Sequence, residues 1–234
     1  MIIGVTGQCI DSLGNKRAAG AGKDVIAKHL VDKYNFTSVA WADPLKRFCK
    51  EVYDFSDEQL WGESDARTQP DKRYPRDDGT FLTPREALQG LGDGWGRKCY
   101  KNTWVDYGIS VAKKILSGGS AYTSKYGLQP NPSWRVDSGY GLFGVVFSDV
   151  RYLNEFNAVR AAGGKVVRIK RIVNHQFDIV GMNHSHKSET ELPNEDDGIF
   201  DYIIDNSGTL EDLSVKIDEM LYVFKNWANI RSQI

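Results

Sequence analysis

At 234 residues the chain is long enough for one sizeable domain, with room for an inserted lid. Its 30 basic and 31 acidic residues nearly cancel, so there is no basic field to hold a nucleic-acid polymer, and the lysines and arginines are available for local anion sites. Three widely spaced cysteines without a CxxC pair (Cys9, Cys49, Cys99) argue against a disulfide scaffold or zinc ribbon and suit a reducing cytoplasm, and no apolar run is long enough for a membrane span.

The first element is a strand-like apolar run, Met1-Ile2-Ile3-Gly4-Val5, with Gly7 at its end; no signal peptide is expected. Gly20-Ala21-Gly22-Lys23-Asp24 follows and opens an amphipathic helix with Ala27, Leu30, Val31 and Tyr34 on one stripe. Strand, glycine loop with lysine, then helix is the context of a phosphate-binding loop. Glycines let backbone N–H groups approach phosphate oxygens, and the helix N-terminus adds partial positive charge. Gly7, Gly20, Ala21, Gly22, Lys23, Asp24 and Val25 are therefore the candidate residues for holding a nucleotide's phosphates. The alternative is an ordinary glycine-containing strand–helix connection.

Two features depart from the usual loop. Arg17 stands where the first glycine is expected, so Cys9 to Ala18 reads as an insertion within the loop. Asp24 stands where Ser or Thr usually serves Mg²⁺. A carboxylate is also a hard oxygen ligand, which makes Asp24 the candidate metal residue.

A second strand-like run, 36–42, ends at Asp43-Pro44 and completes a βαβ unit, which implies a parallel sheet with ligands at the C-terminal strand ends. Asp43 and Lys46 lie just past that edge. Lys46 is a candidate for an acceptor phosphate, or else part of a salt-bridged helix start. Residues 43–80, with Arg67, Lys72, Arg73 and Arg76, read as irregular surface. Thr83-Pro84-Arg85-Glu86 is a capping box with Pro at the first helical position, starting a helix that ends near Gly92. Arg85 and Gln89 share one face of it. Arg97 follows the turn Gly92-Asp93-Gly94-Trp95-Gly96. A guanidinium can grip phosphate, an amide can read a base edge and an indole can stack on a base. A solvated helix face and a core Trp95 are the bland alternatives.

Val105, Ile109, Ala112 and Leu116 mark another amphipathic helix. Residues 117–141, rich in Gly, Ser and Tyr, read as an inserted loop or hairpin whose Tyr122, Tyr126, Trp134 and Tyr140 suggest a homodimer contact. Gly144–Ser148 is a buried strand ending at Asp149-Val150-Arg151. Asp149 would serve Mg²⁺ through water, position a substrate hydroxyl, or cap the next helix. Arg151 would reach the transferred phosphate or be a surface arginine. A helix from Leu153 to Ala162, a strand 166–169, a strand 202–204 and a final helix from Thr209 complete the pattern. Arg168, Lys170 and Arg171 would line phosphates or form a solvated strand end. His184-Ser185-His186 lacks a third metal ligand and reads as a polar lid loop. Asn206-Ser207-Gly208 would pass a donor's adenine or be plain turn chemistry. The sum is an α/β protein, a three-layer α/β/α sandwich on a mainly parallel five-stranded sheet.

Several ordered motifs together resemble the phage deoxynucleoside monophosphate kinases, a branch of the P-loop nucleoside-monophosphate kinase fold. They are Met1 to Gly7, Gly22-Lys23-Asp24, Ala42-Asp43-Pro44-Leu45-Lys46, Thr83-Pro84-Arg85 with Leu88-Gln89 and Trp95-Gly96-Arg97. Further along come Asp149-Val150-Arg151 with Asn154-Glu155, Gly163-Gly164 with Val167-Arg168-Ile169, and His186 with Ser188-Glu189. The resemblance implies one P-loop kinase domain over 1–234, with an acceptor region at about 43–100 and a lid-like region at about 171–198. It implies transfer of the ATP γ-phosphate, with Mg²⁺, to a deoxynucleoside monophosphate in a cytoplasm, the host's if the protein is phage-encoded. Lys23 and the loop glycines would hold ATP, with Lys23, Asp149 and Arg151 as catalytic candidates. Asp43, Lys46, Arg85, Gln89, Trp95, Arg97, Asn154 and Glu155 are candidates around the acceptor. Two other readings remain at this point: another small-molecule kinase of the phosphomevalonate or dephospho-coenzyme A type, and a nucleotide-binding protein without turnover. An aromatic, amide-bearing pocket favours a nucleobase; a purely cationic one favours the former alternative.

Overall fold

The computed structural model describes residues 1–62, 64–118, 122–125, 127–129, 143–176, 192 and 197–231. Strand β1 (Ile2–Ile10) lies at the centre of the main sheet, and its first eight residues are all buried, as expected of a strand covered on both faces. It runs three residues past Gly7 and turns back into β2 (Lys16–Arg17), antiparallel to it with Cys9 opposite Arg17. The segment read as a loop insertion is therefore a β-hairpin. Asp11 organises its turn, accepting from the Leu13 and Asn15 amides at 2.9 and 2.8 Å and from the Asn15 side chain at 2.9 Å.

The chain then forms α1 (Lys23–Tyr34), β3 (Phe36–Val39), α2 (Asp43–Tyr53), α3 (Asp57–Trp61) and α4 (Ser64–Thr68). Three helices thus stand in a stretch expected to be irregular. The signals are local but short: Pro44 sits in the first turn of α2, and Ser56 with Gln59 forms a full capping box on α3. These helices wrap a small core of Cys49, Phe55, Leu60 and Ala87, which explains why short elements persist there. Helix α5 (Pro84–Gln89) begins at the predicted Thr83–Glu86 box. It does not end near Gly92. It widens into a π-helical turn, Gly90–Gly96, and continues as α6 (Arg97–Cys99). The Trp104 indole donates to the Gly92 carbonyl at 3.0 Å, an insertion into the backbone ladder that accompanies the wider turn.

Helix α7 (Thr103–Leu116), a short hairpin of β4 (Tyr122–Ser124) and β5 (Gly127–Gln129), β6 (Gly144–Phe147), α8 (Leu153–Ala161), β7 (Lys165–Ile172), β8 (Tyr202–Asp205) and α9 (Leu210–Arg231) complete the fold. The strand order is β3-β6-β1-β7-β8, parallel throughout, with β2 on the β1 edge. One face carries Ile3, Val5, Val167 and Ile169 against Ile26 and Leu30 of α1 and Leu213, Ile217 and Met220 of α9. The other carries Ile2, Val145, Phe147 and Val166 against Val105 and Ala112 of α7 and Phe156 and Val159 of α8. Each such buried aliphatic contributes roughly 1.5–3 kcal/mol. The fold is thus the three-layer α/β/α sandwich expected, and among the described residues no helix is long and apolar enough to cross a membrane.

The long β1–β7 pairing, from Ile3 opposite Lys165 to Ile10 opposite Ile172, carries the sheet beyond the glycine loop. Arg168, expected as a phosphate-lining or solvated residue, is only 1 % exposed: its guanidinium lies 4.0 Å from the Phe200 ring centre and donates to the Leu192 carbonyl. It is a core residue on the face opposite α1. Tyr122 offers no dimer surface, because it is buried and its hydroxyl donates to Asp43 at 2.7 Å. Tyr126, Trp134, Tyr140, the His184–His186 pair and most of the 171–198 lid-like region lie outside the described residues.

Candidate active site

The C-terminal ends of β1, β3 and β6 open into a cavity of about 930 Å³. This is where parallel sheets place ligands, because loops diverge there while helix N-termini point in.

The loop 18–22 crosses between β2 and α1. Gly22 has φ +102° and Gly20 +81°, left-handed values that a side chain would strain. A β-carbon on Gly7 would come within 2.6 Å of the Ala18 carbonyl, so Gly7 serves the loop by letting it pass close over β1 rather than by facing the cavity. The loop is pinned from the far side by Asn206, whose amide donates to the Ala21 carbonyl at 2.9 Å. That assigns Asn206 to loop packing, a role its sequence context did not indicate. Arg171 also reaches the loop, donating to the Gly20 carbonyl at 3.4 Å. Helix α1 has no side-chain cap, and its N-terminal residues Gly22 to Val25 line the cavity.

Lys23 is 9 % exposed. Its ammonium donates to the Ala18 carbonyl at 3.0 Å, which curls the loop around it, and pairs with Asp149 Oδ1 at 2.9 Å. Asp149 Oδ2 accepts from Arg151 Nε at 2.7 Å. Asp149 is held beside β1 because the Val150 amide donates to the Val5 carbonyl at 2.9 Å. Burial alone would raise the Asp149 carboxyl, but the Lys23 and Arg151 charges beside it hold it well below the usual carboxylate range. The three catalytic candidates thus form one chain of contacts.

Arg97 lies across the cavity. The π-helical turn delivers its guanidinium 3.9 Å from the Tyr152 ring centre, where it pairs with Glu155 at 3.1 Å and Asp93 at 3.2 Å. Glu155 is buried and accepts from the Arg151 and Tyr152 amides at 2.8 and 3.2 Å, as the N3 residue of α8. Burial pushes its carboxyl up to about 7.

Gly20, Ala21, Gly22, Asp24, Val25, Lys46, Gln89, Arg97, Arg151 and Glu155 line the cavity along with Lys23 and Asp149. The other candidates do not. Asp43 sits beneath the wall, accepting from the Ala40 amide at 3.0 Å and from Tyr122. Trp95 is 58 % exposed and tilted against Trp104, and it is Trp104 that faces the cavity. Asn154 bonds to Asn102 at 2.9 Å, and Arg85 is close enough for its charge to act on Arg67.

Sequence reasoning missed Trp61, Arg67, Trp104 and Lys125, all of which line the cavity. Arg67 and Lys125 lay in stretches read as irregular surface and as an insertion. Only the α3–α4 packing and the β4–β5 hairpin turn them inward. Six cations and four carboxylates line the space. Four of the cations (Lys23, Arg97, Lys125 and Arg151) are ion-paired with Asp149, with Asp93 and Glu155, with Asp24, and again with Asp149. Lys46 and Arg67 have no carboxylate within ion-pair distance among the described residues, and burial lowers both, Lys46 to about 8. Arg67 Nε is buried without a hydrogen-bond partner among the described residues. Both cations feel carboxylates only at longer range (Asp43 and Asp149 for Lys46, Asp24 and Asp149 for Arg67), and Arg67 also donates to the Gly62 carbonyl at 3.1 Å. Two half-buried cations beside a lysine-bearing glycine loop are an arrangement suited to an anion.

No protein-family profile matches the chain. The chain is similar to a protein of Acanthamoeba polyphaga mimivirus named "Putative deoxynucleotide monophosphate kinase", with 28 % identity over 205 residues that span 88 % of this chain and 93 % of that protein. The order of short motifs that resembles the phage deoxynucleoside monophosphate kinases is thus joined by a similarity to this giant-virus protein over most of both chains.

Proposed function

We propose that the chain transfers the γ-phosphate of ATP to a deoxynucleoside monophosphate, giving the diphosphate. The observation that carries this reading is the cavity's division of labour. A phosphate loop with Lys23 forms one side, Lys46 and Arg67 lie beyond it, and Trp61, Trp104 and Gln89 supply aromatic side chains and an amide. Cations alone would suit any phosphorylated acceptor. Aromatic faces with an amide suit a nucleobase, which disfavours phosphomevalonate. The similarity to the mimivirus protein supports the same acceptor class.

In this reading the backbone of the glycine loop up to Lys23 and the Lys23 ammonium hold the donor phosphates and counter the charge that develops on them. Lys46, Arg67 and Arg97 fix the acceptor phosphate, whose oxygen attacks the γ-phosphorus as the bond to ADP breaks. Arg151 stabilises the group in transit. Asp149 aligns Lys23 and Arg151, and Glu155 aligns Arg97. Among the described residues no three His, Cys, Asp or Glu side chains are grouped for an all-protein metal cage. Asp24 and Asp149 nevertheless fit Mg²⁺, which is typically held by one or two carboxylates with phosphate and water completing its shell. Asp24 would ligate it directly and Asp149 through water. When bound, Mg²⁺ neutralises phosphate charge.

The test is incubation with ATP, Mg²⁺ and each of the four deoxynucleoside monophosphates, with products separated by chromatography. A deoxynucleoside diphosphate is expected. ATP binding without any diphosphate product would sink this function.

A pH dependence follows from Lys46. It must be charged to grip an anion, and its titration at about 8 places the loss within reach. KM for the monophosphate should rise as pH climbs through about 8, and Lys46→Arg should flatten that rise. In the free protein the depressed value means the unfolded chain binds the extra proton, so the stability contribution of this group increases with pH above about 8. A wild-type KM that stays constant across this range would remove Lys46 from the acceptor site.

A further inference from the structure

The hairpin β4–β5 closes with only two residues between Ser124 and Gly127, which puts Lys125 at its tip. Its base is tied down: Tyr122 is buried, bonds to Asp43 beneath the cavity wall, and lies under the Arg47 guanidinium at 5.6 Å. From this anchored base Lys125 reaches the phosphate loop, lines the same cavity and pairs with Asp24 in the first turn of α1. Its charge is felt by Lys46 within the same cavity.

This arrangement solves a problem that Asp24 creates. A carboxylate in the first turn of α1 lies where the helix N-terminus and Lys23 would attract phosphate, and it would repel that phosphate unless neutralised. An ammonium on a four-carbon stem can neutralise it and is compact and mobile enough to exchange a carboxylate for a phosphate oxygen. We propose that Lys125 is a second triphosphate-binding lysine, carried to the phosphate loop by the inserted hairpin and held there by Asp24. The inference rests on the proposed ATP site and adds a ligand to it from a part of the chain with no other assigned role. It also gives Asp24 two duties, orienting Lys125 and facing the cation that accompanies ATP.

The experiment is calorimetric titration of the full chain with ATP in EDTA at low salt, so that neither turnover nor metal enters the reading. Lys125→Met should weaken ATP binding about tenfold or more, as expected for loss of a charge-assisted contact, and Lys125→Arg should stay within about threefold of wild type. The double variant Asp24→Asn/Lys125→Met decides between contact and mere neutralisation. If Lys125 touches phosphate, the double variant binds about tenfold more weakly than Asp24→Asn alone. Equal affinity of those two would overturn the proposal, since Lys125 would then act only as a counter-ion. Unchanged affinity in Lys125→Met, with wild type binding ATP normally, would also overturn it while leaving the kinase reading standing. Absence of ATP binding by folded wild type would overturn both.

Discussion

Lys23→Ala is expected to cut phosphoryl transfer by about 10²–10³-fold or more, with the fold retained. The size follows from position. Lys23 is nearly buried, sits inside the curl of the glycine loop and, among the described residues, is the only cation joining that loop to Asp149. Its loss removes a charge aimed at the donor phosphates and leaves Asp149 with Arg151 as its remaining ion-pair partner. Burial would then pull the Asp149 carboxyl upward from its low value, weakening its hold on Arg151 as well. Two contacts of the proposed site therefore fall together. The sheet and both core layers do not depend on the ammonium, so the far-ultraviolet spectrum and cooperative melting should persist. Measured turnover close to wild type would end the assignment of 18–23 as the phosphate loop.

Arg97→Ala should raise KM for the monophosphate by about 10–100-fold and leave KM for ATP nearly unchanged. It should also destabilise the protein in a pH-dependent way. Arg97 is the cationic partner of Glu155, a carboxylate already pushed up to about 7 by burial. Without Arg97 that value rises further. A carboxyl whose folded pKa lies above its unfolded one favours folding at low pH and loses that contribution as pH rises through the folded value. The variant should therefore lie close to wild type near pH 5.5 and fall behind by about 1–1.4 kcal/mol near pH 8, one pH unit above the wild-type Glu155 value of about 7. That corresponds to roughly 3–5 °C in Tm for a chain of this size. The two backbone amides that Glu155 accepts from continue to favour its charged form and limit the loss. An equal Tm deficit at both pH values would mean that Arg97 acts through packing on Tyr152 rather than through Glu155. A KM effect confined to ATP would move Arg97 to the donor side.

The parts of the fold legible in the chain are those specified by contiguous residues. The apolar runs of β1, β3, β6, β7 and β8, the stripe on α1, the Thr83–Glu86 box and the Thr209–Asp212 cap each act within a turn or two of backbone. Their alternation alone implies a parallel sheet with its ligand edge near Lys23, Lys46 and Asp149. The candidates found this way were residues directly after a strand or on a marked helix face.

The remainder required distant segments to meet. Nothing local distinguishes an insertion from the continuation of a strand: Cys9 to Arg17 becomes a hairpin because β7 runs alongside β1 as far as Ile172. Arg168 is polar in sequence and buried in fact, since Phe200 and the Leu192 carbonyl come from elsewhere in the chain. Arg67, Trp61, Trp104 and Lys125 join the cavity only when α3, α4, α7 and the β4–β5 hairpin close around it. Sequence by itself determined the alternation of the five parallel strands with their main flanking helices and the edge of the sheet where the glycine loop lies, because periodicity, caps and glycine loops are short-range properties of the backbone. Tertiary structure alone decided which charges are paired and which are left for a ligand, because burial and ion pairing depend on contacts between residues far apart in the chain.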